Sequence, residues 1–569
     1  MTFWYSRHKI ILKNHGLGVS TTMAILLKKT IKGIDYWYLV ESKRIDGKPK
    51  QIILEYFGNT KKFTDTLLNN RFENAVLKSY SHGDTFALMQ IAKKLKIENI
   101  LDNSFKSQTR DNLKRSRSLL LIALQRACSP GSKTELHSWL ESTTLPHDLD
   151  ISTKKITSQH FWEQMNDITE DELCEAEDAI TKTVLENYNF EIEKIALDYT
   201  NYFSYIDTNN TRCTIAQRGH NKQKRNDLRQ YSLALITTQD IGLPLCSHVY
   251  EGNTNDQTEF LTYFNILKRR IPNYDPDKMT ITFDGGSNNK ANFNAIDTHY
   301  ICSFSLSSCK QLYNYSLSEY EELKINDDTV KVYRTQERIW DQDRVCIVTY
   351  SGSLFNGQLK ELNKDIGKAI EAIITLNAQL SNSKSRISKL RPDINSKIKN
   401  ILSKPHLKEI IHTEAIGEPI VETVNFYINY DVKDDIVYKF FGKKLIITDR
   451  TEWSTYEIIK TYREQDCIEK IFRDSKNNEH FSVRPQFHYT NQKIRVHVFC
   501  CLLGLTLATL LYKEVAAHGF NEMSKIQILN TLSQIRKCWI KDKNGNNATY
   551  IFEQMTTTQS RLWDIVNSI

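Results

Sequence analysis

Hydrophobic and polar positions change period along this 569-residue chain, and the changes divide it. Residues 36–42 and 51–56 are β-branched and aromatic runs separated by Asp46-Gly47-Lys48-Pro49, which predicts a hairpin in a small β-rich unit over 1–65. Over 66–185 the spacing turns helical, most clearly at 86–95 and at 117–126, the latter stopped by Ser129-Pro130-Gly131. Short helices in a basic context can form a helix-turn-helix that enters a major groove, or can simply pack together. The pattern leaves both open. From about 190, strands alternate with helices. The run 195–200 is a strand with Asp198 at its exposed end, and 231–237 pairs with 243–250 around Gln239-Asp240-Ile241-Gly242. A helix over 257–270 leads to a strand, 279–284, that ends in Asp284-Gly285-Gly286. Another helix and the strand 300–306 follow.

Three strands followed by helix, strand, helix and strand is the order of a ribonuclease-H-like sheet with mixed strand directions. The predicted fold class is therefore α/β: a ribonuclease-H-like catalytic core over 186–310 and 440–515, preceded by the hairpin unit and a helical N-terminal domain. An insertion over 311–439 interrupts the core. In it Leu359, Leu362, Ile366, Ala369, Ile373, Leu376, Leu380, Ile387 and Leu390 keep a heptad seam, which predicts one long helix ended by Pro392. Its partner is another helix, in this chain or in a second protomer, or else a globular core. The strand 444–448 returns to the core, and 516–569 reads as a C-terminal helical region. The most apolar run, 496–512, contains His497 and falls short of the ~20 residues of a membrane span, so a buried core helix and no membrane partner are expected.

Charge and cysteine content narrow the partners. The net charge is +8, but its distribution says more. Residues 1–63 hold twelve Lys/Arg against four Asp/Glu, and 210–229 holds Arg212, Arg218, Lys222, Lys224, Arg225 and Arg229 against Asp227. Such stretches suit a phosphate backbone, with Lys222 and Arg225 as candidate DNA contacts, although a solvated surface has the same composition. Eleven cysteines occur without a CxxC pair, so zinc-finger spacing is absent and reduced, buried thiols are expected. His220, His488 and His497 read as structural or DNA-facing residues, since no cysteine is spaced to join them around zinc.

The chemistry-bearing stretch is 462–476. Ile468 and Phe472 share one helical face, Glu469 stands at its rim, and Tyr462 and Lys476 lie about two turns away on either side. Cleaving a phosphodiester with two metal ions requires hard oxygen ligands around the scissile phosphate, and strand ends plus one helix present carboxylates rigidly. Asp198, Asp284 and Glu469, in that order, supply such a set. They predict a metal-dependent enzyme that cuts and joins DNA. Each residue alone has a plainer reading, as a turn residue, a helix cap or a solvated helix side chain.

Further motifs accompany the three carboxylates. Tyr462, Glu469 and Lys476 fit Tyr-x2-Arg-x3-Glu-x6-Lys; Gly219 to Leu228 resembles Gly-[His/Tyr]-Ser-Lys-x-x-Arg-x-Asp-Leu; Gly252 to Asp256 fits Gly-Asn-Thr-x-Asp. Arg484-Pro485 with His488, Arg495 with His497, and Pro130-Gly131-Ser132-Lys133 fit others. In this combination, over roughly 35–515, the chain resembles DDE transposases of the bacterial insertion-sequence IS4 superfamily, its IS1634-type branch above all. The resemblance implies that Asp198, Asp284 and Glu469 hold two Mg2+ (or Mn2+) ions per active site, and that Tyr462, Lys476 and Arg473 contact DNA near the element's end. It further implies double-stranded DNA partners (terminal repeats and target), a dimer when two ends are synapsed, and a bacterial cytoplasmic, nucleoid-associated location. One departure matters: Gln465 stands where the signature has arginine, losing the charge and the bidentate fork. Two other readings stay open, a ribonuclease-H-like nuclease without strand transfer and a catalytically inactive, transposase-derived DNA-binding protein.

Overall fold

The strand Arg229–Thr238 is buried at every position, as its Tyr-Ser-Leu-Ala-Leu-Ile run requires of a strand covered on both faces. In the computed structural model, residues 24–45, 48–62, 76–106, 113–219, 221, 225–272, 274–313, 315–326, 328–541 and 549–569 are described. They fall into two compact units. One comprises Met1–Ile192, Ala196–Tyr274 and Asp466–Ile569, the other Glu193–Ile195 and Asp275–Gln465.

In the first unit Arg229–Thr238 pairs antiparallel with Pro244–Glu251, turning at Gly242, whose φ of +65° favours glycine. Ala24–Ile31, Ile34–Ile45 and Lys48–Asn59 form an antiparallel three-stranded sheet, and Ser42 opposes Gln51 as the hairpin pattern requires; the turn residues Asp46 and Gly47 lie outside the described residues. The helices Arg115–Cys128 and Asn491–Val515 pack together so closely that a Cβ on Gly504 would collide with the carbonyl of Ala123. Arg115–Cys128 is buried on nearly all its residues, so it is a core helix and cannot enter a DNA groove. Asn491–Val515 and its extension are long and apolar enough to cross a membrane by length and composition, contrary to the length expectation, but most of the helix is buried inside this unit. The C-terminal region is not wholly helical. Arg536–Lys541 pairs with Thr549–Phe552 on one side and with the distant Val76–Ser81 on the other.

The second unit is built on a mixed sheet, in the order Glu321–Ile325, Asp328–Ile339, Gln342–Tyr350, Lys443–Thr448, His299–Phe304 and Thr280–Phe283. Thr280–Phe283 and His299–Phe304 run parallel, and the other pairs are antiparallel. The amide of Thr280 donates to the carbonyl of Glu193, at the start of the strand Lys194–Ser204 (2.7 Å).

The heptad run also belongs to this unit, where its helix is Gly352–Ser381. It stops before Ile387 and Leu390, and Pro392 opens the next helix, Arg391–Ile401, instead of closing this one. Leu362, Ile366, Ala369, Ile373, Leu376 and Leu380 are buried in a core with Ile394, Ile398, Ile410, Val421 and Val424. The apolar seam is covered by this globular core of the same chain, so no coiled-coil partner is needed to bury it.

Candidate active site

Asp284 follows directly on Thr280–Phe283, a strand buried at all four positions, and caps the short turn Gly285–Ser287. The turn is tied to the neighbouring strand. Gly285 N–H donates to Ser303 Oγ (3.0 Å), and Asn288 Nδ2 donates to the Ser303 carbonyl (2.7 Å). A side chain at Gly285 would press on Ser303, with its Cβ 3.2 Å from the carbonyl oxygen. Tyr462 is buried, and its hydroxyl donates to Asp284 Oδ1 at 3.4 Å. Burial, then the Asp284 charge, pushes the phenol's pKa well up, so it remains a donor. Lys444 Nζ lies 4.6 Å from the centre of the Tyr462 ring. The same pair of causes, burial first and Asp284 second, raises the Cys302 thiol.

Asp198 belongs to the first unit. It is the fifth residue of the eleven-residue strand Lys194–Ser204, not the end of a strand as the sequence suggested. Its Oδ1 accepts from the Tyr199 amide at 2.7 Å. Alternate residues share a strand face, so Thr200 and Tyr202 stand in line with Asp198. Lys476 Nζ donates to Thr200 Oγ1 and lies 5.6 Å from the centre of the Tyr202 ring. Ser475 Oγ and the Tyr202 hydroxyl are hydrogen-bonded at 2.6 Å. Asp198 and Lys476 are thereby brought to one strand face.

The predicted continuous helix around Glu469 is two helices, Thr455–Glu464 and Asp466–Asp474, with Lys476 beyond the second. Ile468, Ile471 and Phe472 anchor the second helix, and Cys467 packs on Thr237 and Thr238 of the central strand. Glu469 lies on the opposite, exposed side. Arg473 is exposed beside Asp474 (3.8 Å). Gln465 falls at the break, with only 4% of its surface exposed. Among the described residues neither its Oε1 nor its Nε2 has a hydrogen-bond partner. Arg463 does not replace the missing arginine, because it pairs with Asp328 (3.1 Å).

The outlying motifs are mostly structural. A Cβ on Gly219 would strike the Gly252 carbonyl, and one on Gly252 would strike the Gln230 carbonyl, so two motif glycines permit a single close approach of backbones. Buried Arg126 donates to the carbonyls of Gly131 (2.7 Å) and Arg484 (2.9 Å), joining the Pro-Gly-Ser-Lys and Arg-Pro segments. Lys133 is buried and pushed down to about 8 by burial and then by Arg126. His488 and His497 are buried with ring centres 4.7 Å apart, and His497 Nε2 donates to the Val483 carbonyl (2.8 Å). They are core residues and do not face DNA. Arg225 forms a bidentate pair with Asp227 (2.8 and 2.7 Å). His220 and Lys222 lie outside the described residues.

Among the described residues no group of three His, Cys, Asp or Glu side chains is placed to hold a metal ion. Mg2+ is ordinarily held by one or two carboxylates together with waters and substrate phosphates, so the donors at Asp198, Asp284 and Glu469 have the right chemistry without forming a protein cage. The sequence reading missed Lys444 and Ser303. Lys444 was legible as the one charged residue opening the apolar strand 444–448. Ser303 carried no signal, since its role comes from pairing.

No protein-family model matches this chain, and no curated protein does. Among solved structures it is similar to a piggyBac transposase in a synaptic complex with hairpin DNA, determined by cryo-EM. The similarity covers 79% of this chain and 78% of that one, at 7% identity and a TM-score of 0.37. A likeness this distant carries no residue or role across.

Proposed function

We propose that the chain is a DDE-type transposase, which binds the terminal repeats of a mobile element, cleaves the DNA at those ends and joins them to a target. The observation that carries this reading is the setting of Asp284. It is a carboxylate at the end of a buried strand, held by a turn pinned to the next strand, with a buried phenol on one oxygen and a lysine ammonium over that phenol. In the other unit Asp198 has Lys476 on its strand face, held there by the Thr200 hydroxyl. Carboxylates next to exposed or half-buried cations suit a polyanionic substrate whose phosphates the cations grip.

In this reading Asp198, Asp284 and Glu469 would hold two Mg2+ or Mn2+ ions. Bound there, the ions would activate the attacking oxygen and stabilise the leaving one. Tyr462 orients the Asp284 carboxylate, while Lys476, Lys444 and Arg473 bind backbone phosphates. A ribonuclease-H-like core, the IS1634-type branch of the IS4 superfamily and a dimer on paired ends belong to the same proposal, and they rest on the motif combination. A second reading, a DNA-binding protein without catalysis, is favoured by Gln465, whose uncharged side chain is buried where the signature has arginine.

Strand joining separates the readings. Incubated with Mg2+, pre-cut repeat ends and a supercoiled target plasmid, the protein is expected to give end-joined products. Repeat-specific binding without any joined or nicked product supports the inactive reading, and absence of binding to any DNA overturns both.

A further inference from the structure

Three aromatic side chains are exposed on two segments of the first unit that hydrogen-bond to each other: Tyr205 is 81% exposed, Phe487 50% and Tyr489 48%. Exposing this much ring surface forfeits burial, so several exposed rings on linked segments require a physical reason. The backbone that carries them is pinned by hydrogen bonds. Arg229 is buried and donates to the carbonyls of Asp207 (2.9 Å), Asn210 (3.1 Å), Cys213 (2.6 Å) and Ala216, so one guanidinium shapes the loop that follows Tyr205. That loop is stitched to the segment bearing the other two rings. Ser204 Oγ meets Gln486 Oε1 (3.5 Å), Asn210 Nδ2 donates to the Tyr489 carbonyl (3.2 Å), and Ile215 N–H donates to Asn491 Oδ1 (3.1 Å). The outer side of the loop is cationic. Arg212 and Arg218 are exposed, and among the described residues neither is ion-paired, Arg218 donating only to Thr208 Oγ1 (3.1 Å).

We infer that this face binds unpaired nucleotides, with the rings of Tyr205, Phe487 and Tyr489 stacking on bases and Arg212 and Arg218 holding the phosphates between them. The inference rests on the DNA-acting reading above and specifies which form of DNA this surface takes. Bases inside a duplex already stack on one another and offer no face to a side chain, so a purely duplex surface requires cations and no exposed rings. Unpaired bases offer both faces. The exposed arginines argue for a polyanion over an apolar protein partner. The strand carrying Asp198 runs directly into Tyr205, seven residues on and about 23 Å along the chain at ~3.3 Å per residue. Unpaired DNA gripped there lies beside the end of the β-strand that carries Asp198.

The test compares a blunt duplex with the same duplex bearing a short single-stranded extension, by fluorescence anisotropy, for the wild type, Tyr205→Ala, Phe487→Ala and Tyr205→Trp. The wild type is expected to prefer the extended DNA, and each alanine variant to lose about tenfold of its affinity for that DNA with blunt-duplex binding unchanged. Tyr205→Trp, which keeps a stacking face, is expected to retain the preference. Equal wild-type affinity for both DNAs, or alanine variants that keep the preference, overturns the inference and leaves the transposase reading standing. Failure of the wild type to bind either DNA overturns the transposase reading itself. Loss of self-association in Tyr205→Ala, with DNA binding intact, reassigns the rings to contact between copies of this chain and also overturns the inference.

Discussion

The hydroxyl of Tyr462 reaches Oδ1 of Asp284 across 3.4 Å, which is long for an O–H···O hydrogen bond. The contact orients the carboxylate without saturating it, so the oxygen can still serve another ligand. Tyr462→Phe removes the donor but keeps the ring that packs in the core of the second unit and underlies Lys444. The expected outcome is a thermal midpoint within about 3 °C of wild type. Repeat-end cleavage is expected to fall by about tenfold, the scale of one hydrogen bond to a charged group. A change in midpoint equal to the loss of activity would make Tyr462 merely structural.

Lys444 is predicted to act on substrate binding. Lys444→Gln keeps length and polarity but removes the charge above the ring. The expected result is weaker binding of all duplexes alike, with the dependence of binding on salt reduced by about one phosphate contact, read from a salt titration.

Acid sensitivity should come from the buried histidine pair. Burial, with Lys133 and Arg126 adding to it, holds His488 and His497 well below the ordinary value of 6.5. Their folded-state pKa values are lowered, so as pH falls below about 6.5 the unfolded chain takes up protons that the folded chain refuses, and stability is lost. Above that pH both states are neutral at these sites and the contribution is flat. Urea unfolding between pH 7.5 and 5 should therefore show stability falling by up to about 1.4 kcal/mol per pH unit for each histidine. His488→Gln should make the fall shallower, and an unchanged slope would remove the pair from the explanation.

Two glycines, Gly252 and Gly286, give a stability prediction with an internal control. Gly252→Ala forces a methyl into the Gln230 carbonyl, which has no room to move within a paired strand. It should cost about 1–3 kcal/mol. Gly286→Ala meets nothing within 4 Å and is expected to be close to neutral. Chemical denaturation of both variants beside wild type checks the pair.

The sequence made some parts of this molecule plain and hid others for physical reasons. Asp284 was legible because a β-branched run ending in Asp-Gly-Gly can hardly be anything but a strand and a turn. Asp198 was placed at the exposed end of a strand over 195–200 because the apolar run Ile195-Ala196-Leu197 stops there, whereas the strand continues to Ser204. The break at Gln465 left no trace, since Tyr462, Ile468, Phe472 and Lys476 keep a helical rhythm across it. The heptad seam was visible, but what covers it was not, because Ile394, Val421 and Val424 lie on separate short elements with no local mark of their destination. The strand Arg536–Lys541 escaped for the same reason, as it pairs with Val76–Ser81 at the far end of the chain.

The central claim is that Asp198, Asp284 and Glu469 are one metal-dependent catalytic set, and the most direct measurement is cleavage of the repeat-end DNA with and without Mg2+. The wild type is compared with Asp198→Asn, Asp284→Ala and Glu469→Gln, with folding of each checked by circular dichroism. The account predicts Mg2+-dependent nicking at the repeat ends by the wild type and none above background by any of the three folded variants. Full cleavage by any one of them, or wild-type cleavage that persists in a chelator, would contradict it.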